Sequence, residues 1–271
     1  MSDDRFARTQ LFLGNEKFEK LRKARVLVVG LGAVGSYAVE GLARAGIGHL
    51  RLVDFDTVQA TNINRQLYAL DSTLGQLKCD VAAARVRDIH PDCDVQPRNL
   101  FVDADTMNAL FDGFSPDFAI DAIDALNPKI ELMKTLRDRG IPALSSMGAA
   151  LRTDPSQIVL GKLEDVKGDP LAKMLRKFMR RRGISLDFTC VYSTENIADV
   201  RHRCLGEEEK ADPTRRGRPR HTLGSLPTLT GIFGLTIANY AIQWLVEGSW
   251  SSLEKRPKRL KPRRHQTAKK A

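Results

Sequence analysis

Two stretches of this 271-residue chain hold side chains whose types and spacing suit phosphate chemistry. In "VLVVGLGAVGSYAVE", Gly30, Gly32 and Gly35 form G-x-G-x-x-G directly after an apolar run. The first glycine permits a tight turn and the second lets a phosphate reach the backbone. The third lets the following helix pack on the strand, and amides at the start of that helix face the anion. Asp54 lies 19 residues beyond Gly35, where a ribose-binding acid belongs. It opens "DFDTVQATNINRQ", which carries Asp56, Asn62, Asn64 and Arg65; Lys78 follows in "GQLK" and Asp124 in "DAIDALNPK".

A dinucleotide needs little beyond the glycine loop, because amides can hold its pyrophosphate. ATP brings more negative charge, and cleavage between its α and β phosphates calls for cations near the leaving pyrophosphate. Arg65 can fork two phosphate oxygens, and Lys78 adds a point charge. Asn62 and Asn64 can bond phosphate oxygens or fix the loop. Asp124, after a strand end, can hold Mg²⁺. The expected ATP-binding set is Gly30, Gly32, Gly35, Asp54, Asp56, Asn62, Arg65 and Lys78, with Arg65, Lys78 and Asp124 acting on the reaction. Plainer roles exist for each residue alone. Arg65 could pair with Asp56, Lys78 could be solvated on a helix, and Asp121 and Asp124 could cap the next helix.

The elements needed to position these groups are legible. "RVLVVG" reads as a strand buried on both faces, and Val34 to Ala45 as a helix. "HLRLVDFD" is a second strand, and Gly75 to Ile89 has helical spacing. "VQPRNLFV" reads as a strand, "DADTMNALF" as a helix with an Asp cap, and "PDFAIDAID" as a strand. "PKIELMKTLRDRG" reads as a helix and "IPALSSMGAA" as a fifth strand with its exit. This alternation predicts an α/β, doubly wound, mostly parallel Rossmann-like sheet with a C-terminal extension and a basic tail. The expected divisions are a helical arm (1–24), an ATP-binding unit (25–150), a further subregion of the same domain (151–252) and a disordered basic tail (253–271). Lys162 to Gly183 should be helical, and residues 205–225, rich in Glu, Arg, Gly and Pro, a mobile loop. The apolar Leu226 to Gly248 stretch carries Thr, Asn and Gln, so it predicts a core or dimer-facing helix and no stable membrane insertion.

The formal net charge of +10 favours a polyanionic partner. Lys173, Arg176, Lys177 and Arg180 recur at helical spacing, with Arg181 and Arg182 beside them. Arg215, Arg216, Arg218 and Arg220 and the tail add two more clusters. Such clusters bind phosphate with little sequence readout. Cys79, Cys93, Cys190 and Cys204 form no CxxC pair, so a thiolate zinc site is not expected. A reducing, cytoplasmic setting is expected, and "MSDDRFARTQ" shows no apolar signal segment.

"GLGAVGS", "DFDTVQATNINRQ", "GQLKCDVAAARVRDIHP" and "DAIDALNPK" resemble the ThiF/MoeB/ubiquitin-activating adenylyltransferases. That resemblance implies Asp54 on the ribose, Asn62 and Arg65 on the triphosphate, Lys78 on phosphate and Asp124 on Mg²⁺. It also implies AMP transfer to a carboxylate. Dimeric members reach the partner's ATP with an N-terminal arginine, here Arg8 or Arg5. "SSMGAALRTDPSQIVLGKLEDVKGDPLAKMLRK", "DFTCVYSTE" and "LPTLTGIFGLTIANYAI" resemble the branch that dehydrates threonylcarbamoyladenosine in tRNA. The branch implies tRNA as substrate, a homodimer and a possible sulfur-relay protein partner. Some of its members have a cysteine before the last apolar helix, and "RGRPRHTLGSLPT" has none, so no cysteine is expected to be catalytic. Two competing readings remain open: activation of a ubiquitin-like sulfur carrier, and a nucleotide-binding module without turnover.

Overall fold

Arg25–Val29 (β1) is four-fifths buried and sits inside a seven-stranded sheet, as a valine-rich run without alternation requires. The computed structural model describes residues 4–197, 205–208 and 221–249. His49–Asp54 (β2) and Phe118–Asp121 (β4) pair with β1 in parallel on its two sides. Asp94–Asn99 (β3) forms one edge beyond β2, while Ala143–Ser146 (β5), Thr189–Ser193 (β7) and Ile158–Lys162 (β6) continue beyond β4. The order is β3-β2-β1-β4-β5-β7-β6. The chain leaves β1 for β2 on one side and later returns to β4 on the other. A crevice therefore opens between the carboxyl ends of β1 and β4, where open sheets of this kind take ligands.

Helices Gly35–Ala45 (α3), Lys78–Ile89 (α4), Leu126–Asp138 (α5) and Pro170–Arg181 (α6) follow the strands, and Pro227–Glu247 (α7) comes last. Gly234 lets α7 lie directly against α3: a Cβ there would be 2.3 Å from the Val34 carbonyl oxygen. The same contact brings Ala238 to Gly41 and Gly231 to the Tyr37 ring. By length and composition α7 could cross a membrane, yet half of its apolar stretch is buried in the protein. The expected core helix is thus in place. Ala7–Leu13 (α1) and Asn15–Lys23 (α2) form the N-terminal arm. Arg5 Nη1 donates to the Ile89 carbonyl at 3.0 Å, and the Phe6 ring meets His90 edge-on at 4.7 Å. No residue of α1 is buried, and Leu11 and Phe12 are each 87% exposed.

Three expectations need correction. Residues 103–111 are not an α-helix; only Met107–Leu110 forms a short 3-10 turn. The Asp103 carboxylate accepts the amides of Asp105 and Thr106, and the Thr106 hydroxyl donates to the Phe101 carbonyl. These local bonds replace helical ones. The helix expected from Lys162 begins only at Pro170, behind its N-cap Asp169. The mostly parallel sheet itself is as expected, with β6 antiparallel to β7 at its far edge. The expected loop at 205–225 begins and ends in paired strands, Leu205–Glu208 (β8) and His221–Leu223 (β9). Arg215, Arg216, Arg218, Arg220, Cys204 and the tail lie outside the described residues.

Candidate active site

The glycine loop connects β1 to α3 and is closed by backbone contacts. Gly30 has φ +91, and a Cβ there would be 2.8 Å from the carbonyl carbon and oxygen of Ala122. A Cβ at Gly35 would fall 1.8 Å from the Gly30 oxygen. Neither position admits any side chain. Gly32 differs, because the nearest group to its missing Cβ is Gln66 Nε2 at 3.8 Å. That open face beside α3 is the space a phosphate needs.

Asp54 ends β2 and binds the loop from the side. Its Oδ2 accepts the Leu31 amide at 2.7 Å, and its Oδ1 accepts the Asp56 amide at 2.9 Å. Burial pushes the Asp54 carboxyl above its usual range, against the pull of the nearby Lys78 ammonium and these two amides. Lys78 is the first residue of α4 and is buried. Its amide donates to the Asp56 carbonyl at 3.0 Å, and its Nζ donates to Asp56 Oδ2 at 2.9 Å. Asp56 thus pairs with Lys78, not with Arg65, and Lys78 is no solvated helix residue.

The segment between Asp56 and Lys78 is held over the glycine loop by α3. Ser36 Oγ accepts the Leu67 amide at 3.1 Å, and Tyr68 donates to the Ser36 carbonyl at 2.9 Å. Asn62 is buried, and its Oδ1 accepts the Gln59 amide at 3.1 Å, which fixes the turn. Arg65 is half-buried, and its Nη1 donates to the Thr61 carbonyl at 2.7 Å and to Asn64 Oδ1 at 2.9 Å. Gln66 then reaches the open side of Gly32. Asp124 is exposed in the loop after β4. One edge therefore carries the glycine loop, Asp54, the Asp56–Lys78 pair, the Asn62–Arg65 turn and Asp124.

The ThiF family profile matches residues 4–270. This chain belongs to the ThiF family. The tRNA threonylcarbamoyladenosine dehydratase of Bacillus subtilis (strain 168) is 39% identical over 84% of this chain and 90% of its own length. The enzyme of that name from Escherichia coli (strain K12) is 34% identical, over 88% and 92%. The solved E. coli TcdA in complex with ATP superposes with a TM-score of 0.77 at 31% identity, covering 93% of this chain and 97% of that one.

Within this ThiF chain, several features went unread in the sequence. Phe55 and Phe101 meet edge-on at 4.8 Å beside Asp54, and Phe55 is 36% exposed. Its signal was a bulky apolar residue between two acids, read only for the acids. Asp121 and Lys129 form a fully buried ion pair at 2.8 Å. Arg152 and Asp169 form another at 3.2 Å, where Asp169 also accepts the amides of Gly148 and Ala172. Among the described residues no group of three or more His, Cys, Asp or Glu could hold a metal ion. A Mg²⁺ ion needs fewer protein ligands than that, one or two carboxylates beside the phosphates of a nucleotide.

The basic helix of the ThiF chain is only partly available. Lys173, Lys177, Arg180 and Arg181 are exposed. Arg176 turns inward and donates to the carbonyls of Leu163 and Val166 at 3.0 and 2.7 Å. Arg182 pairs with Glu131 at 3.0 Å and donates to Asn127 at the same distance. The expected face of Lys173, Arg176, Lys177 and Arg180 is therefore one arginine short, and Arg182 is committed elsewhere.

Cys79, Cys93 and Cys190 are buried. Burial pushes their thiols up to about 11, about 12 and about 12 respectively. A nucleophile needs the opposite shift. In the folded protein at neutral pH, iodoacetamide should label no more than the remaining Cys204, and unfolding should expose all four. Mass spectrometry after timed alkylation checks this; rapid labelling of Cys190 would contradict it.

Proposed function

We propose that this chain is an ATP-dependent enzyme that adenylates the carboxylate of threonylcarbamoyladenosine in tRNA and promotes its dehydration to the cyclic form. The observation that carries the reading is the assembly on one sheet edge of an open glycine loop, the carboxylates of Asp54 and Asp124, and the cationic Arg65 and Lys78. Dehydratase relatives that match over most of both chains support the choice of substrate.

The residues divide the work. Amides around Gly32 meet the phosphates, and Asp54 offers its remaining lone pairs to the ribose. Phe55 and Phe101 present an apolar surface for the base. Arg65 and Lys78 stabilise charge on the departing pyrophosphate. Asp124 would hold Mg²⁺, which when bound neutralises phosphate charge. The substrate carboxylate attacks the α-phosphorus and pyrophosphate leaves. The carbamoyl group then closes on the acyl carbon and expels AMP. Because ring closure is intramolecular, no enzyme thiol is needed, in keeping with the raised thiols.

Incubation with ATP, Mg²⁺ and tRNA carrying threonylcarbamoyladenosine should convert the nucleoside to a product lighter by one water, read by nucleoside mass spectrometry. AMP should form in equal amount. Asp124→Asn should keep the fold and slow AMP formation at least about tenfold, or ~1.4 kcal/mol of barrier. Full activity of that variant at limiting Mg²⁺ would remove Asp124 from the site. Turnover only with a small protein ending in Gly-Gly would favour the carrier-activating reading, and ATP binding without turnover the module.

The tRNA should be gathered by the exposed Lys173, Lys177, Arg180 and Arg181. Replacing all four with glutamine should raise the KM for tRNA and leave the KM for ATP unchanged. It should also flatten the salt dependence of tRNA binding between about 50 and 200 mM, because fewer counterions are released. Equal slopes for variant and wild type would assign these charges to solubility.

A homodimer fits the arm. Leu11 and Phe12 put an apolar face in water that a second copy would cover. Arg8 on the same helix is exposed and has no partner among the described residues, whereas Arg5 is tied to Ile89 of its own chain. Arg8 is thus the better candidate to reach the neighbouring ATP. Light scattering should show a dimer that Leu11→Glu with Phe12→Glu converts to monomer; a wild-type monomer would exclude it.

A further inference from the structure

Behind the crevice lies an ionisable pair to which the reaction above gives no part. Asp121 is the last residue of β4, and Lys129 lies in the first turns of α5. Their side chains are 1% and 0% exposed and 2.8 Å apart. A buried pair of this kind adds little to net stability, since desolvation opposes the attraction between the charges. Its contacts instead concentrate on one short loop. Lys129 Nζ donates to the Ile123 carbonyl at 2.8 Å, and Asp121 Oδ1 accepts the Ile123 amide at 3.1 Å. Asp121 Oδ2 also accepts the Ser145 hydroxyl at 2.7 Å, which braces it from β5.

Ile123 is thereby held by both its amide and its carbonyl. The residue before it, Ala122, presents the carbonyl that packs against Gly30. The residue after it is Asp124. We propose that the Asp121–Lys129 pair is a positioning device that sets the 122–125 loop, and through it both the wall behind the glycine turn and the place of the Asp124 carboxylate. This role rests on the ATP reading given above. Lys129 is a positioning residue, because its ammonium is enclosed by protein and its named partners are Asp121 and the Ile123 carbonyl.

The loop's two halves have separable consequences. The metal–phosphate interaction depends on Asp124 standing at the right place. AMP, which lacks the β and γ phosphates, relies on the glycine loop and Asp54. Loosening the Ile123 clamp should therefore weaken the Mg²⁺ dependence of ATP binding more than it weakens AMP binding.

The test combines Asp121→Asn with Lys129→Met. The double variant removes both charges, so no buried ion is left alone, and asparagine still accepts the Ile123 amide. The bonds from Lys129 to Asp121 and to the Ile123 carbonyl are lost, and the Ser145 hydroxyl must accept from the asparagine amide where it had donated to the carboxylate. Ligand-free melting should be near wild type, while Lys129→Met alone, which strands Asp121, should melt clearly lower. Titrating Mg²⁺ against the ATP-induced rise in melting temperature should give a midpoint at least about fivefold higher in the double variant. Its AMP affinity by calorimetry should fall by a smaller factor than this midpoint moves. Ser145→Ala, which leaves the pair intact, should shift the midpoint in the same direction by about twofold.

An unchanged Mg²⁺ midpoint in the double variant overturns the positioning role, as does an equal loss of AMP and ATP binding, which would mark a merely structural pair. If the double variant does not fold, Ser145→Ala decides alone, and an unchanged midpoint there overturns the role. Wild-type protein that binds no ATP would end the functional reading and this inference together, so the two failures are told apart.

Discussion

The site depends on a turn that has no space for a methyl group. Gly30 lies against the Ala122 carbonyl, and Gly35 lies against Gly30 itself. Both contacts are backbone on backbone. They bring β1, β4 and the start of α3 closer than any side chain would allow, at the base of the crevice that the strand order opens. The other site residues are then attached to this turn by hydrogen bonds. Asp54 grips it through Leu31, and Ser36 and Tyr68 draw the Asn62–Arg65 segment across it. Breaking the turn would move all of these groups together.

Much of this was legible because local patterns and tertiary packing agree. The Val-rich run before Gly30 can only be a central strand, and the glycine spacing only a strand-to-helix turn. Asp54 falls at the end of β2 because β2 must run parallel beside β1. Lys78 was picked out by its place at a helix start, though its burial and its bond to Asp56 were not. Arg65 and Lys78 pointed to ATP, the ThiF resemblance supplied the reaction, and its motifs lie where the structure gathers them.

What was not legible has physical causes. Asp103 and Thr106 capture nearby backbone groups, so an apparent helix becomes a 3-10 turn. Lysine in "NPKIEL" and arginine in "AALRT" look like solvent-facing residues, yet each is buried with a carboxylate from another element or its boundary. Arg176 satisfies two carbonyls at the end of a loop and leaves the basic face. Helical spacing tells which residues share a side of α6. It does not tell which of them finds a partner within reach.

The β3 strand closes one side of the sheet, and Pro97 sits within it, paired in register with Leu52. Proline has no N–H to donate, which is tolerable in an outermost strand. Its flanking residues, Gln96 and Arg98, are polar, and Arg98 and Asn99 are exposed. A further strand arriving there would meet an interrupted ladder and a hydrophilic fringe. On that flank, edge-to-edge growth into extended β-assemblies is disfavoured.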